Sequence, residues 1–347
     1  MTVAADAGRL FRIRRETRGT RAAALVLVVA VVVLATVPAW GSSGAMKLLV
    51  EFLTLLAMAQ MWNLLAGYAG LVSIGQQAFV GVGAYALFVG MDIMGLHPVP
   101  AIVVTASGAI VIAAVTSLFA FRLRGGYFAI GTWVIAEVFR LVVMQVPALG
   151  SGTGVTIKSL VGIPPADRLA LTYWLALGVG VGAIVLAAIV VRSRLGLALR
   201  AVRDSEVSAA SLGVGVTGTK RIVYIVASAG CAVAGAVYYL QLLRIQPTAA
   251  FSVDWTVVMI FVVVIGGLGR IEGPILGAIV FFALQELLAD YGSSYLIALG
   301  VFTMVIVLVA PRGLWGLIVT RWPMTLVAID RRLVVEGGSA AASREGP

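Results

Sequence analysis

The stretch Leu169–Val191, LALTYWLALGVGVGAIVLAAIVV, runs from Arg168 to Arg192 without one charged side chain. Inside a bilayer every backbone N–H and C=O has to be satisfied within the segment, and about 20 mainly apolar helical residues cover that thickness. This stretch meets both demands, and its flanking arginines mark the return to water. Working outward, the same pattern recurs at 22–40, 48–66, 99–121, 127–147, 222–243 and 295–311, with most ends marked by Arg, Pro, Gly or Trp.

Two regions are less regular. Residues 67–91 are apolar but carry Gly67, Gly70, Gly75, Gly81, Gly83 and Gly90, and are read as one crossing. Residues 255–290 are too long for one crossing and are interrupted at Gly266, Gly267, Gly269, Gly273 and Pro274, so they are read as two. The expected fold is an all-α polytopic membrane protein of about ten transmembrane helices.

Composition agrees, with 61% hydrophobic and 12% charged residues, a balance foreign to soluble domains. The net charge of +10 is a topology signal and excludes nothing about lipid, since the basic residues lie between apolar stretches and form no nucleic-acid surface. With ten crossings one side holds the arginines from Arg9 to Arg21, Arg122 and Arg124, the central basic cluster and the tail, whereas the other holds only Lys47, Lys158, Arg168 and Arg244. Lys and Arg stay preferentially inside, so both termini are expected to be cytoplasmic. The domain reading is a basic extension at 1–21, a membrane domain at 22–311 with a central loop at 192–221, and a tail at 312–347 whose end is flexible. A signal peptide at 22–40 is disfavoured, because its apolar core of about 19 residues exceeds the usual 7–15.

Chemistry-bearing motifs are scarce. The single Cys231 forms no intrachain disulfide, the single His97 reads as an interfacial loop residue, and no metal or catalytic residue is assigned. The nearest text to a phosphate-cradling loop, Gly213 to Lys220, has its lysine displaced and no following Ser or Thr. Any nucleotide that drives this protein binds another chain. Among ionisable residues inside spans, each costing about 2.5–3.5 kcal/mol at mid-helix, Glu137 stands out, with Arg140 one turn later on the same face. The pair either borders a substrate path or locks helix packing; Glu51 and Glu286 are weaker candidates near span ends.

The stretch from Trp62 to Tyr85 combines its glycines with Asn63, Ser73, Gln76 and Gln77 at membrane depth. It is either a close-packed seam or a broken helix whose backbone lines a polar cavity. A second glycine-rich stretch, Gly266 to Gly277, can play the corresponding part in the other half. The central segment Arg192 to Gly213 suggests a short helix capped by Asp204, with Ala209, Ala210 and Leu212 as its face and Gly213 as its stop. Such a helix either plugs a groove on a partner or lies against anionic lipid.

Four separated segments carry a family resemblance: Asn63 to Gln76, Gly126 to Ile130, Arg200 to Glu206, and Ile265 to Gly277. In order and spacing the chain from about Leu48 to Pro311 resembles the membrane permeases of ABC importers for branched-chain amino acids, the longer of their two permease types. The resemblance implies an inner-membrane subunit that is no enzyme and binds no cofactor, with ATP on partner chains. It implies a second related permease, two ATPase subunits and an extracytoplasmic solute-binding protein. It also implies a coupling role for Arg203, Asp204, Glu206, Ala209, Ala210, Leu212 and Gly213, beside path candidates Asn63, Ser73, Gln76, Gln77 and Glu137. An importer for urea, short amides or another small solute shares this architecture. A self-sufficient secondary carrier or channel, or a non-transporting scaffold, is the reading from another class.

Overall fold

The computed structural model describes residues 11–14, 18–288, 294–310, 312–321 and 332–335. In chain order they form β1 (Phe11–Arg14), α1 (Arg18–Trp40) and α2 (Ser43–Asn63), which runs on through one π-helical turn, Leu64–Tyr68. After a non-helical passage come α3 (Gln77–Phe88), extended by a second π turn at Val89–Ile93, then α4 (Pro98–Ala120), α5 (Gly126–Gln145), β2 (Val155–Thr156) and α6 (Pro165–Arg192). Two short helices, α7 (Arg194–Asp204) and α8 (Glu206–Ser211), lead into α9 (Val216–Leu242) and β3 (Arg244–Ile245). The chain continues with α10 (Pro247–Ala250), α11 (Asp254–Gly266), α12 (Glu272–Leu287), α13 (Ser294–Val309), α14 (Gly313–Arg321) and β4 (Arg332–Val335).

Helix starts follow local chemistry. Pro98, Pro165 and Pro247 occupy first-turn positions, where a missing N–H costs nothing. Ser42 caps α2 by accepting the Ala45 N–H at 3.2 Å. Strand β2 pairs antiparallel with β3, Val155 facing Ile245 and Thr156 facing Arg244. This ladder marks one end of the helix bundle, hereafter the ladder end. The other, basic end carries α7 and α8 with Arg124, Arg203 and Lys220 around one cleft. Strand β4 pairs antiparallel with β1.

Helix α9 is the central element and packs against α2, α3, α4 and α6. Small side chains make this possible: Ala227, Cys231, Ala232, Ala234 and Ala236 are fully buried. Two glycines cross reciprocally, Gly83 of α3 on the Ala232 backbone and Gly235 of α9 on the Val80 backbone, where an added Cβ at Gly235 would lie 2.6 Å from the Val80 carbonyl oxygen. Lipid offers helices no hydrophobic drive to associate, so close backbone approach of this kind supplies the packing energy. The outward faces are the reverse of a soluble protein's, with Val103, Val111, Ile130, Trp133 and Ile189 all exposed.

Among the described residues six helices are long and apolar enough to cross a membrane: Ser43–Tyr68, Pro98–Ala120, Gly126–Gln145, Pro165–Arg192, Val216–Leu242 and Pro247–Gly266. The other expected spans correspond to shorter apolar helices, Leu25–Trp40, Gln77–Ile93, and α12 and α13 with 16 residues each. Three boundaries differ from the sequence reading. The expected crossing at 67–91 is split: its first residues close the π turn that ends α2, residues 70–76 leave the helix at Gly70, whose φ is +68°, and helix resumes at Gln77. The central loop at 192–221 is folded into α7 and α8, and α9 starts at Val216; its polar first turn hides that start from a hydropathy reading. The tail begins with α14, which packs on α11 and α12 with Gly313 against Gly267. Most of the basic extension at 1–21 and the tail beyond Arg321 lie outside the described residues.

Replacing Gly83 with leucine is expected to abolish the folded protein, since its Cβ would collide with the Ala232 backbone rather than a movable side chain. Half-buried Gly108 has open space around its Cβ position and serves as the tolerant control. Gel filtration of fluorescent fusions in mild detergent reads the difference; equal monodisperse yields for both variants would refute the seam.

Candidate functional site

The site grows from the break at 70–76. Helix α2 descends from the ladder end and finishes in a π turn, a form frequent where function interrupts a helix. The chain then leaves the helix at Gly70, runs through the non-helical passage 70–76 and enters α3 at Gln77. Buried groups on the neighbouring helices hold this passage: the Trp62 Nε1–H donates to the Ser73 carbonyl at 2.9 Å, and the Ile74 N–H donates to Thr132 Oγ1 at 3.2 Å. Gly75 lies so close to the Thr132 backbone that no side chain fits there. Ser73 Oγ accepts the Gly75 N–H at 3.3 Å.

Two glutamines at the start of α3 differ. The Gln77 side chain accepts the Thr256 hydroxyl of α11, and that hydroxyl in turn accepts the Gln77 N–H at 3.3 Å. The Gln76 carboxamide is fully buried, yet neither its oxygen nor its nitrogen finds a partner among the described residues. The Gln60 carboxamide on α2 is in the same condition. Each such group costs about 1–3 kcal/mol when left unmatched.

Asn63, the first of the path candidates, is held between two segments. Its Nδ2 donates to the Arg270 carbonyl at 2.8 Å and its Oδ1 accepts the Gly269 N–H at 2.9 Å, so both amide functions are consumed in clamping α2 to the α11–α12 junction. From the basic end, Arg203 Nη1 donates to the Gly67 carbonyl at 2.8 Å. Gly67 and Gly269 press together at this point, and a Cβ at Gly67 would sit 2.5 Å from the Gly269 nitrogen. One node thus joins α7, the π turn and the second glycine-rich stretch.

The remaining candidates divide between two surfaces. Glu137 lies on the outward face of α5, bound by Arg140, whose Nε is 3.0 Å from both carboxylate oxygens. The pair is apart from the Gln76 region and shares its face with exposed Trp133, Val134 and Val138. At the basic end Asp204 is paired with Arg203, while Glu206 pairs with Lys220. The cap of α8 is Ser205, whose side chain accepts the Ser208 N–H at 3.2 Å, and not Asp204, which closes α7. Gly213, at φ +82°, ends the helix as its type predicts. The anticipated common face is absent, because Ala209 turns inward while Ala210 is exposed and Leu212 and Val207 are 82% and 79% exposed. A cleft of about 570 Å³ lies beside these helices, bounded by Gly70, Val72, Arg124, Gly126, Arg203 and Lys220. Among the described residues no cluster of three His, Cys, Asp or Glu is arranged to hold a metal ion.

Sequence reasoning missed Gln60, Thr132 and Thr256. Gln60 had a signal, an amide three residues before Asn63 on one helix; the two threonines, ordinary in membrane helices, had none. The node yields a stability prediction. Asn63→Ala strands the Gly269 N–H and the Arg270 C=O, at about 1–3 kcal/mol each, and should lower the thermal unfolding midpoint in detergent by several degrees. An unchanged midpoint would mean that the clamp is not holding the halves together.

A family model described as branched-chain amino acid transport system / permease component matches residues 44–310. Over 321 residues the chain is 24% identical to the high-affinity branched-chain amino acid transport system permease protein LivM of Salmonella typhimurium, covering 84% of this chain and 74% of that one. The protein of the same description from Escherichia coli K12 is 24% identical over 83% and 74%. A probable branched-chain amino acid transport permease protein LivM from Methanocaldococcus jannaschii is 24% identical over 55% and 56%. No solved structure matches. With the match running from the start of α2 to the end of α13, this chain belongs to the family of permease components of branched-chain amino acid transport systems.

Proposed function

We propose that this chain is the membrane permease subunit of an ATP-driven importer of branched-chain amino acids in the cytoplasmic membrane. It works with a second related permease, two ATPase subunits and an extracytoplasmic solute-binding protein. The basic end faces the cytoplasm, by the asymmetry of Lys and Arg between the two ends, and the ladder end faces outward. ATP is bound and hydrolysed on the partner subunits; this chain breaks no bond and converts their closure into helix movement.

The observation that carries this reading is the Arg203 contact with Gly67. It connects the basic-end helices α7 and α8 directly to the place where the membrane helix is broken. A push on α8, which packs on α7, therefore reaches the π turn and the start of the passage 70–76 through the Arg203 side chain of α7. Exposed Val207 and Leu212 offer apolar anchors for an ATPase groove, and the Glu206–Lys220 pair holds α8 to α9. Transport then proceeds by alternating access, with the unmatched Gln76 and Gln60 carboxamides meeting solute or water when the helices part. The outward Glu137–Arg140 pair fits a seam shared with the second permease better than a lipid-facing position, where charge at mid-helix is costly.

Two outcomes follow. In co-purification from native membranes, Val207→Asp with Leu212→Asp should lose the ATPase that accompanies the unaltered chain, while the folded permease persists; retention of the ATPase would place coupling elsewhere. Gln76→Leu removes an unmatched buried amide, so the chain should become equally or more heat-stable while leucine uptake in reconstituted vesicles falls at least about tenfold, the effect of about 1.4 kcal/mol on the transport barrier. Undiminished uptake would remove Gln76 from the path. Uptake by the chain alone, without ATPase subunits, would favour a self-sufficient carrier.

A further inference from the structure

At the ladder end a cavity of about 700 Å³ opens between the last turns of α9 and the segment from Arg244 to the start of α11. Its size lies within the range of small-molecule sites, which join apolar walls to a few fixed polar groups. Three observations show that its walls are built rather than incidental. Leu243 adopts φ +59°, a conformation few non-glycine residues take, and its carbonyl accepts the Ile157 N–H at 2.8 Å. Arg244 follows it directly, its backbone held in the β2–β3 ladder opposite Thr156. The Trp255 indole is fixed by Nε1–H donation to the Ala249 carbonyl at 3.0 Å and by an edge-to-face contact with Tyr238 at 4.7 Å.

The charges are what select the ligand. Asp254 is oriented by Ser252, whose hydroxyl donates to Oδ2 at 2.8 Å and accepts the Asp254 N–H at 3.2 Å. Arg244 lines the same cavity, and among the described residues it forms no ion pair, either with Asp254 or with another carboxylate. A simple anion would meet the Asp254 carboxylate and a simple cation the Arg244 guanidinium. Both residues line the cavity while remaining exposed to solvent, so a molecule carrying both charges can pair with each of them.

We infer that this cavity is a binding site for a zwitterionic amino acid with an apolar side chain, resting on the importer reading above. The solute's carboxylate pairs with Arg244, its ammonium with Asp254 against the Trp255 ring, and its side chain lies along Leu242 and Val258. With the ladder end outward, this is where a solute released from a binding protein first rests on the permease.

The test uses the purified complex of permease and ATPase subunits, washed free of the solute-binding protein whose own site would also give a leucine signal, followed by saturation-transfer NMR of free leucine, leucinamide and 4-methylpentanoate. Leucine should give a signal, and the two compounds lacking one charge should bind about tenfold more weakly, as loss of one charge-assisted bond implies. Arg244→Gln, Asp254→Asn and Ala249→Trp should each reduce the leucine signal to the same degree. The last of these fills the cavity and leaves both charges in place, so it reports on the site even where a charge variant folds poorly. Equal signals from all variants, in a complex that still takes up leucine in vesicles, overturn the site and leave the importer reading standing. A weakened hold on the solute-binding protein with an unchanged leucine signal also overturns it, making the charges a docking patch. An unaltered complex that neither transports nor binds leucine defeats both.

Discussion

The Asn63 carboxamide and the Arg203 guanidinium bind neighbouring backbone groups where Gly67 and Gly269 press together, and the rest of the architecture is arranged around that meeting. A helix that stops inside a low-dielectric bundle exposes carbonyls and amides with no water to take them. Here the carbonyl of Gly67 is taken by Arg203, and the strands of backbone at Gly269 and Arg270 are taken by Asn63. Without these two side chains the break in α2 and the junction of α11 with α12 would both carry stranded polar groups. With them, two irregular stretches far apart in sequence become a single stable contact.

The glycines divide by what they make possible. Gly83 and Gly235 let α3 and α9 touch backbone to backbone, producing a seam with no room for rotation. Gly267 and Gly269, with φ of +125° and +76°, instead allow the chain to reverse between α11 and α12. A composition count treats these residues alike, whereas the fold uses the first pair for rigidity and the second for a turn.

Much of the architecture was legible because a bilayer leaves so few solutions: uncharged runs bounded by arginine or proline had to be helices. What stayed hidden depended on contacts between distant segments. Gly67 and Gly70 look equivalent in sequence, yet Gly67 stays in the π turn because Gly269 presses on it, and only Gly70 turns the chain. Asp204 and Ser205 are both capable helix caps, and the course of the backbone between α7 and α8 decides for the serine. Glu137 was found at mid-helix from spacing alone, but which way that face of α5 points is a property of its neighbours. Gln77 and Asn63 stand out in the sequence as polar groups at membrane depth and read there as path candidates; the partners that hold them in the fold, Thr256 and two backbone atoms, carried no local sign.

The short length of α11 has a mechanical meaning. Thirteen residues at about 1.5 Å each make an arm of roughly 20 Å, fixed at one end to the Gly267–Gly269 reversal and bearing Asp254 at the other. A tilt of about 5° at the reversal displaces the far tip by about 1.7 Å over that length, more than a hydrogen bond tolerates. An angular change at the reversal would therefore be felt most strongly at the far tip, by the Asp254 carboxylate and by the Thr256–Gln77 hydrogen bonds that tie the arm to α3.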